Sequence, residues 1–355
     1  MSIVVRLLGQ DEWALANNFF NDVYKTSRSL DDFKWEFIEG PFGPAIYVVA
    51  IDDATPGSVK VVGIQCAIPL AIVDSSGKRE LTAKSEDTLV DPAYRGQKIF
   101  EKMYDLLFAA SRKAGIKYIW GFTPAKKAFE KIGFEIPFHA HQAIIVFNPL
   151  RAYNYLANLN KANKRIEKIK IAALSFLSMV SSFRSRALPS QLSLRRVNFE
   201  DNTKAHQTMI QDTNYRFLSM TPSYLSWRLE KNPFQNQYEN YHCYLGEELV
   251  ADSIINFRPS RLGYIEQIIF KITLSSSLRQ QVVAMIVNTM KDRVDFIRIL
   301  CFDTNAELAL QEDIFRKCGF VVLKRGAHFV WKSLDDDAVN PKDLFLSRLF
   351  TQGNQ

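Results

Sequence analysis

The chain has 355 residues, 47% of them hydrophobic and 23% charged, with a formal net charge of +7. That length exceeds one ordinary core, so the expectation is two globular domains of a soluble protein. Four widely spaced cysteines in apolar contexts (Cys66, Cys243, Cys301, Cys318) exclude a disulfide framework or a zinc cluster and read as reduced thiols of a cytoplasmic protein.

In chain order, 3–8 reads as a strand and Asp11 to Lys25 as a helix, with Trp13, Ala14, Ala16, Phe19, Phe20 and Val23 on its apolar positions. A short helix from Leu30 to Ile38 stops at the breaker run Gly40-Pro41-Phe42-Gly43-Pro44. Ala45 to Ile51 and Val59 to Val73 are β-rich, Asp74-Ser75-Ser76-Gly77 is a hairpin turn, and Arg79 to Val90 is the return strand. Met1 leads directly into the strand-like SIVVRLL, with no basic-then-apolar targeting segment.

The stretch from Ser85 to Lys113 organises the chain. A strand meets a turn at Asp91-Pro92, and Tyr94-Arg95-Gly96-Gln97-Lys98 opens a helix whose apolar face is Ile99, Met103, Leu106, Leu107, Ala110 and Ala114. A glycine-bearing loop at a helix N-terminus offers unpaired N–H groups and the positive end of a helix dipole, which suits a phosphate or pyrophosphate. Val90, Pro92, Tyr94, Arg95 and Gly96 resemble the acyl-CoA signature of the GNAT (Gcn5-related) N-acyltransferases. Lys98 and Phe100 stand where that family usually has glycine and glycine or alanine.

Downstream, Ile116 to Phe122 reads as a strand and Pro124 to Lys131 as a helix. The run Phe129-Glu130-Lys131-Ile132-Gly133-Phe134 is similar to the family's second motif, with Phe129 where the general-acid tyrosine is usual. Gln142 to Phe147 is expected to close the first domain near Pro149. The second half repeats landmarks of the first. Trp35, Pro41 and Phe42 correspond to Trp227, Pro233 and Phe234 at an offset of 192, and Glu130-Lys131-Ile132-Gly133-Phe134 to Arg316-Lys317-Cys318-Gly319-Phe320 at 186. The resemblance therefore implies an α/β fold with an α+β mixed sheet in two tandem GNAT-like domains, the second degenerate. The expected boundaries are 1–149, a basic helical linker at 150–190, 191–333, and a tail at 334–355.

Between the halves, Arg151 to Ser190 carries eight basic residues and one acid, Glu167, which leaves the rest of the chain neutral. Ile169 to Phe183 is apolar but, at 15 residues, too short to span a bilayer. Two readings stand: a helix lying on an anionic inner-membrane surface through 161–186, or an interdomain helix packing its apolar side. In the tail, Leu344, Phe345, Leu346, Leu349 and Phe350 allow a short docked amphipathic helix.

The resemblance implies acetyl-CoA, or another acyl-CoA, as co-substrate. It implies binding by the backbone of Thr88, Leu89 and Val90 along the pantetheine arm and of Arg95, Gly96, Gln97, Lys98, Ile99 and Phe100 at the pyrophosphate. The Leu89 or Val90 N–H would polarise the thioester carbonyl. Glu86 or Asp87, one of the two, is the candidate base, since successive strand residues face opposite sides. The acid is unassigned, with Tyr104 and Ser111 as alternatives to the absent tyrosine. Trp35, Phe37, Phe42 and Tyr47 are either an aromatic acceptor lining or plain core. The implied acceptor is a primary amine of a small molecule or sugar.

Three rivals remain: a silent GNAT-like module that binds CoA or a partner, an acyltransferase of cell-envelope or exopolysaccharide synthesis working at a membrane surface, and a nucleic-acid binder. The last is disfavoured because the basic residues are confined to one segment without aromatic interleaving. No dinucleotide or P-loop motif occurs. His139 and His141 share a strand face without a third ligand nearby, so no metal is expected. The oligomeric state is not legible.

Overall fold

The computed structural model describes residues 3–53, 59–148, 191–210, 213–302, 312–323, 326–335 and 339–351, together with 150, 151, 172, 173 and 176. Apart from those last five positions, the basic segment at 150–190 and its apolar run lie outside the described residues. Two compact units emerge. The first is built from 1–73, 77–137 and 328–341, and the second from 74–76, 138–327 and 342–355.

The first unit contains β1 (Ile3–Leu7), α1 (Trp13–Tyr24), α2 (Leu30–Phe37), β2 (Ile46–Asp52), β3 (Lys60–Val73) and β4 (Arg79–Val90). A 3₁₀ turn (Pro92–Tyr94), α3 (Ile99–Lys113), β5 (Tyr118–Thr123) and α4 (Lys126–Lys131) follow. Strands β1 to β4 pair antiparallel in sequence order, and β4 pairs parallel with β5. Strand alternation divides β2 between two cores. Val48 and Ala50 pack under α3 with Ile99, Met103, Tyr104 and Leu107, while Tyr47, Val49 and Ile51 face α1 and α2 with Phe19, Phe20, Phe33 and Phe37. The strand and helix limits anticipated at 79–90 and from Ile99 onward are those of β4 and α3.

The edge strand departs from expectation. β6 (Glu135–Val146) is longer than the anticipated 142–147, and its part beyond Pro137 belongs to the second unit. The strand beside β5 is instead β14 (His328–Ser333), antiparallel with Trp331 opposite Trp120. An aromatic ladder explains the choice: Trp331 stacks on Tyr118 at 4.8 Å, and Phe329 lies 5.3 Å from Phe122 and 6.1 Å from Trp120. The first compact unit thus ends at Pro137 rather than 149 and regains 328–341.

The second unit has a similar element order with the short β8 interposed: β7 (Leu192–Val197), α5 (Phe199–Ile210), β8 (Phe217–Leu218), α6 (Pro222–Leu225) running into a π turn (Ser226–Glu230), β9 (Gln237–Leu245), β10 (Glu248–Phe257) and β11 (Leu262–Phe270). Then come α7 (Ser276–Met290), β12 (Phe296–Phe302), α8 (Glu312–Lys317) and β13 (Val321–Leu323). Its strands run β7-β9-β10-β11-β12-β6, with β13 also paired to β6. The tail docks with Leu344, Phe345, Leu346 and Leu349 buried, but as two 3₁₀ turns rather than an amphipathic helix. The backbone of Arg216 holds it extended, donating to the Asp343 carbonyl and accepting from the Phe345 N–H, each at 2.8 Å. Among the described residues no helix is long and apolar enough to cross a membrane.

Candidate active site

The centre of the first unit is a bulge in β4. The register steps from Ile64 opposite Leu89 to Cys66 opposite Glu86, so Asp87 and Thr88 together face Gln65. Asp87 takes a left-handed conformation there, with φ at 48°. The parallel ladder to β5 covers Thr82, Ala83 and Lys84 only. Beyond them, 86–90 have no β5 partner among the described residues, and the edge of β4 turned away from β3 is free of that ladder. An extended ligand can pair with such an edge as an added strand would.

Both acids expected as the base are already engaged. Asp87 receives Arg28 Nη2 at 2.9 Å and the Tyr47 hydroxyl at 2.7 Å. Burial pushes its carboxyl above the usual carboxylate value, against the downward pull of Arg28 and Tyr47. Arg28 is itself fixed: its Nε donates to Asn17 Oδ1 at 2.8 Å, and its guanidinium lies over the Phe20 ring at 4.0 Å. Glu86 is paired with the buried Lys84 ammonium. Of the anticipated aromatic lining, Trp35, Phe37 and Tyr47 are buried core, and Tyr47 adds its hydroxyl to Asp87.

A third acid, which sequence reading missed, completes the cluster. Helix α2 starts at a capping box in which Ser29 and Asp32 satisfy each other's N–H groups. Phe33 and Phe37, one turn apart, anchor its inner face, and Glu36 is carried inward with them. Its carboxylate lies 4.0 Å from Arg28 Nη1, its side chain 12% exposed. Burial, and then the charges of Asp87 and Glu86, push Glu36 up to about 8 against the opposing pull of Arg28 and Lys84. A glutamate three residues after a buried phenylalanine, inside an apolar stripe, was the available signal.

Below the bulge, the buried Tyr104 hydroxyl from α3 shares a hydrogen bond with Ser85 Oγ at 2.7 Å and contacts Thr88 Oγ1 at 3.3 Å. Burial raises its pKa, so it stays protonated at neutral pH. Phe129 packs edge-on to Tyr104 at 5.6 Å and is 4% exposed. Of the two alternative acids, Tyr104 lies at the bulge, while Ser111 is buried two turns further along α3.

The loop after β4 runs through exposed Arg95, Gly96, Gln97 and Lys98 into α3. Tyr94 secures its start, donating from its hydroxyl to Asp52 Oδ2 at 2.6 Å. Gly96 has φ at 83° with open space where a Cβ would stand, and Lys98 has φ at 58°. Lys98 thus adopts the left-handed shape that glycine takes without strain. It makes no side-chain cap, so the first N–H groups of α3 are left to solvent or a ligand. Ile99 is buried, and Phe100 turns inward against Tyr104 at 4.8 Å, so its bulk does not fill the loop. The loop therefore fits a pyrophosphate.

No protein-family model and no curated protein sequence matches the chain. Solved structures do. A protein of unknown function from Enterococcus faecalis V583, described as a probable N-acyltransferase, superposes with a TM-score of 0.62 at 11% identity, covering 94% of this chain and 73% of that one. A GCN5-related N-acetyltransferase from Anabaena variabilis gives 0.60 at 13% identity, over 94% and 73%. The chain has the GCN5-related N-acetyltransferase fold. A further GCN5-related N-acetyltransferase, from Kribbella flavida, gives 0.56 at 10% identity over 94% and 71%. At such identities the GCN5-related likeness fixes the fold alone.

Proposed function

We propose that the protein is an acyl-CoA-dependent N-acyltransferase that transfers an acyl group, acetyl in the simplest case, to a primary amine of a small molecule or sugar. We assign that chemistry to the first unit and read the second as a degenerate copy that lacks the loop. The observation that carries this is the stretch 86–90 of β4, which has no β5 partner among the described residues and runs from the bulge at Asp87 and Thr88 toward the loop at Arg95 to Lys98.

The free edge of Thr88, Leu89 and Val90 lines an extended pantetheine arm, and an N–H of Leu89 or Val90 polarises the carbonyl. The loop backbone from Arg95 to Phe100 takes the pyrophosphate, with the Lys98 charge beside it. The thioester supplies an activated acyl carbon and a thiolate leaving group. We assign the proton donor as the Tyr104 hydroxyl, held by Ser85 and Thr88, since Phe129 stands where the family's tyrosine is usual.

Calorimetric titration with acetyl-CoA tests the reading. The parent should bind in the micromolar range. Gly96→Glu, which forces a bulky anion into a left-handed position, should weaken binding by at least about 100-fold. Equal binding by both proteins would remove the loop from the site. No binding by the parent would leave a GCN5-like module without an acyl donor.

A further inference from the structure

The second unit carries a polar cluster where the first is apolar. Under α1 the first unit presents Val49 and Ile51 of β2 and Val61 of β3, packed with Ala16 of the helix, and Ile51 stands opposite Val61. Under α5 the matching strands β9 and β10 present Asn240, His242 and Asp252, with His242 opposite Asp252, and the helix adds Asn202. All four are buried. Asn202 Nδ2 donates to Asp252 Oδ2 at 2.8 Å and to Asn240 Oδ1 at 3.4 Å, and His242 Nε2 stands 3.4 Å from Asp252 Oδ1. One polar atom of each residue makes no hydrogen bond among the described residues: Asn202 Oδ1, Asn240 Nδ2, His242 Nε2 and Asp252 Oδ1. Buried atoms of this kind destabilise a fold unless water or a ligand reaches them.

The cluster ends at a cavity. A hollow of about 390 Å³ lies between the end of β7, the first turn of α5, the π turn and the start of β9, and its wall includes Arg196, Asn198, Glu200, Glu230, Tyr238 and Asn240. Asn240 belongs to both the cluster and the wall. Its side chain is 1% exposed, its Oδ1 is turned to Asn202, and Nδ2 is left as an unused donor. The volume falls within the range of small-molecule sites, about 300–1,000 Å³. A third acid of the wall, Glu239, is already held by Arg293 and Tyr241, each at 2.8 Å, and approached by Arg196 at 3.3 Å.

The wall selects by chemistry. A phosphate or carboxylate would meet Arg196 and the first N–H groups of α5, but also the Glu200 and Glu230 carboxylates. An ammonium ion would meet those acids, but also Arg196 and the positive end of the helix. A hydroxyl both donates and accepts, so a ring of hydroxyls can use both kinds of wall group at once. Phe199 and Tyr238 line the same hollow, and the negative face of an aromatic ring suits the C–H face of a sugar. We propose that the second unit binds a neutral saccharide in this hollow, with Asn240 as its innermost hydrogen-bond donor. Such binding does not depend on acyl transfer in the first unit, and it gives the copy without the loop a ligand of its own.

Saturation-transfer difference NMR on the full chain tests this with glucose, galactose, mannose, N-acetylglucosamine and maltose as probes, and with inorganic phosphate and 1,4-diaminobutane as charged competitors. At least one sugar should bind with Kd below about 10 mM, and neither competitor should displace it at equal concentration. Asn240→Val, which installs the residue type of Val49, should weaken that sugar by about 10-fold or more. Glu230→Gln, on the exposed rim and away from the core, should weaken it about threefold. Melting temperatures within about 2 °C of the parent show that both variants are folded. Gly96→Glu should bind the sugar as the parent does, and acetyl-CoA affinity should be the same in the parent, Asn240→Val and Glu230→Gln, so failure of one site is read apart from failure of the other. No binding by any of the sugars, displacement by phosphate or the diamine, or equal binding by the parent and both wall variants would overturn the site and leave the hollow to water.

Discussion

Each unit places an extra residue in the strand that precedes its long helix, and each sets a buried guanidinium against a carboxylate there. In the first unit Asp87 of the β4 bulge holds Arg28, which is clamped by α1 and lies over Phe20. In the second, Glu266 is the extra residue of β11, as the register passes from Ile254–Gln267 to Ile255–Ile265. It receives Arg348 Nη1 at 2.6 Å on both oxygens, with Asn256 donating at 2.9 Å and the Tyr264 ring 3.7 Å from the guanidinium. The bulges are alike, but the guanidiniums come from opposite ends of the chain. The first unit uses a loop before its own α2, which leaves the approach along β4 to α3 free. The second uses the C-terminal tail, and Ser347 Oγ also reaches Gln267 at 3.1 Å, so protein fills the space beside the strand. Similar electrostatics thus stand beside a strand end without a β5 partner in one unit and beside a tail-covered strand in the other.

The largest effect should come from breaking the first unit's pair. Asp87→Asn keeps the shape but leaves the Arg28 charge with only the 4.0 Å approach of Glu36, which costs about 3–5 kcal/mol. Urea unfolding followed by tryptophan fluorescence measures it, and a loss below about 1 kcal/mol would show that the pair is not buried in solution. Glu36 gives the next effect through pH. Its folded value near 8 stands above the ordinary 4.5, so folding favours the protonated form. Its contribution is full below pH 4.5 and is lost as pH rises through 8, on the order of 3–5 kcal/mol in all. Glu36→Gln should flatten that decline and leave the variant more stable than the parent at pH 9; parallel curves would contradict it.

In the second unit, Arg348→Ala should cost less, about 2–3 kcal/mol, because a freed tail can peel back and hydrate Glu266. Limited proteolysis should then cut within 342–351 sooner than in the parent, with acetyl-CoA affinity unchanged. The smallest effect sharpens the loop. Lys98→Gly relieves a left-handed side chain and should add about 0.5–1 kcal/mol of stability while lowering acetyl-CoA affinity a few-fold through the lost charge. A loss of stability would mean that Lys98 makes a compensating contact.

The parts of this architecture that depend on local chemistry were legible in the sequence. The apolar spacing from Ile99 to Leu107 marked α3, and Asp91-Pro92 and Gly96 marked the loop. The anticipated order of strands and helices in the first half is the one found. What stayed hidden is non-local. Nothing near Arg28 announces Asp87, and the pair forms only because a bulge and a helix-end loop converge. Glu36 looks like any surface acid until Phe33 and Phe37 are known to face the core. The placement of β14 beside β5 could not be read either, because an alternating strand encodes which face is buried but not which neighbour it joins. There, aromatic partners at Tyr118, Trp120 and Phe122 decide.

The exchanged strand also sets a timetable for synthesis. While the nascent chain emerges, residues up to 137 can gather four antiparallel strands and their helices, yet the open side of β5 must wait for residues 328–333. Throughout translation of the entire intervening unit, an aromatic strand edge stands bare, the kind of surface on which a neighbouring chain on the same messenger can seed aggregation. The N-terminal unit, although begun first, is completed only after nearly all of the second has been made.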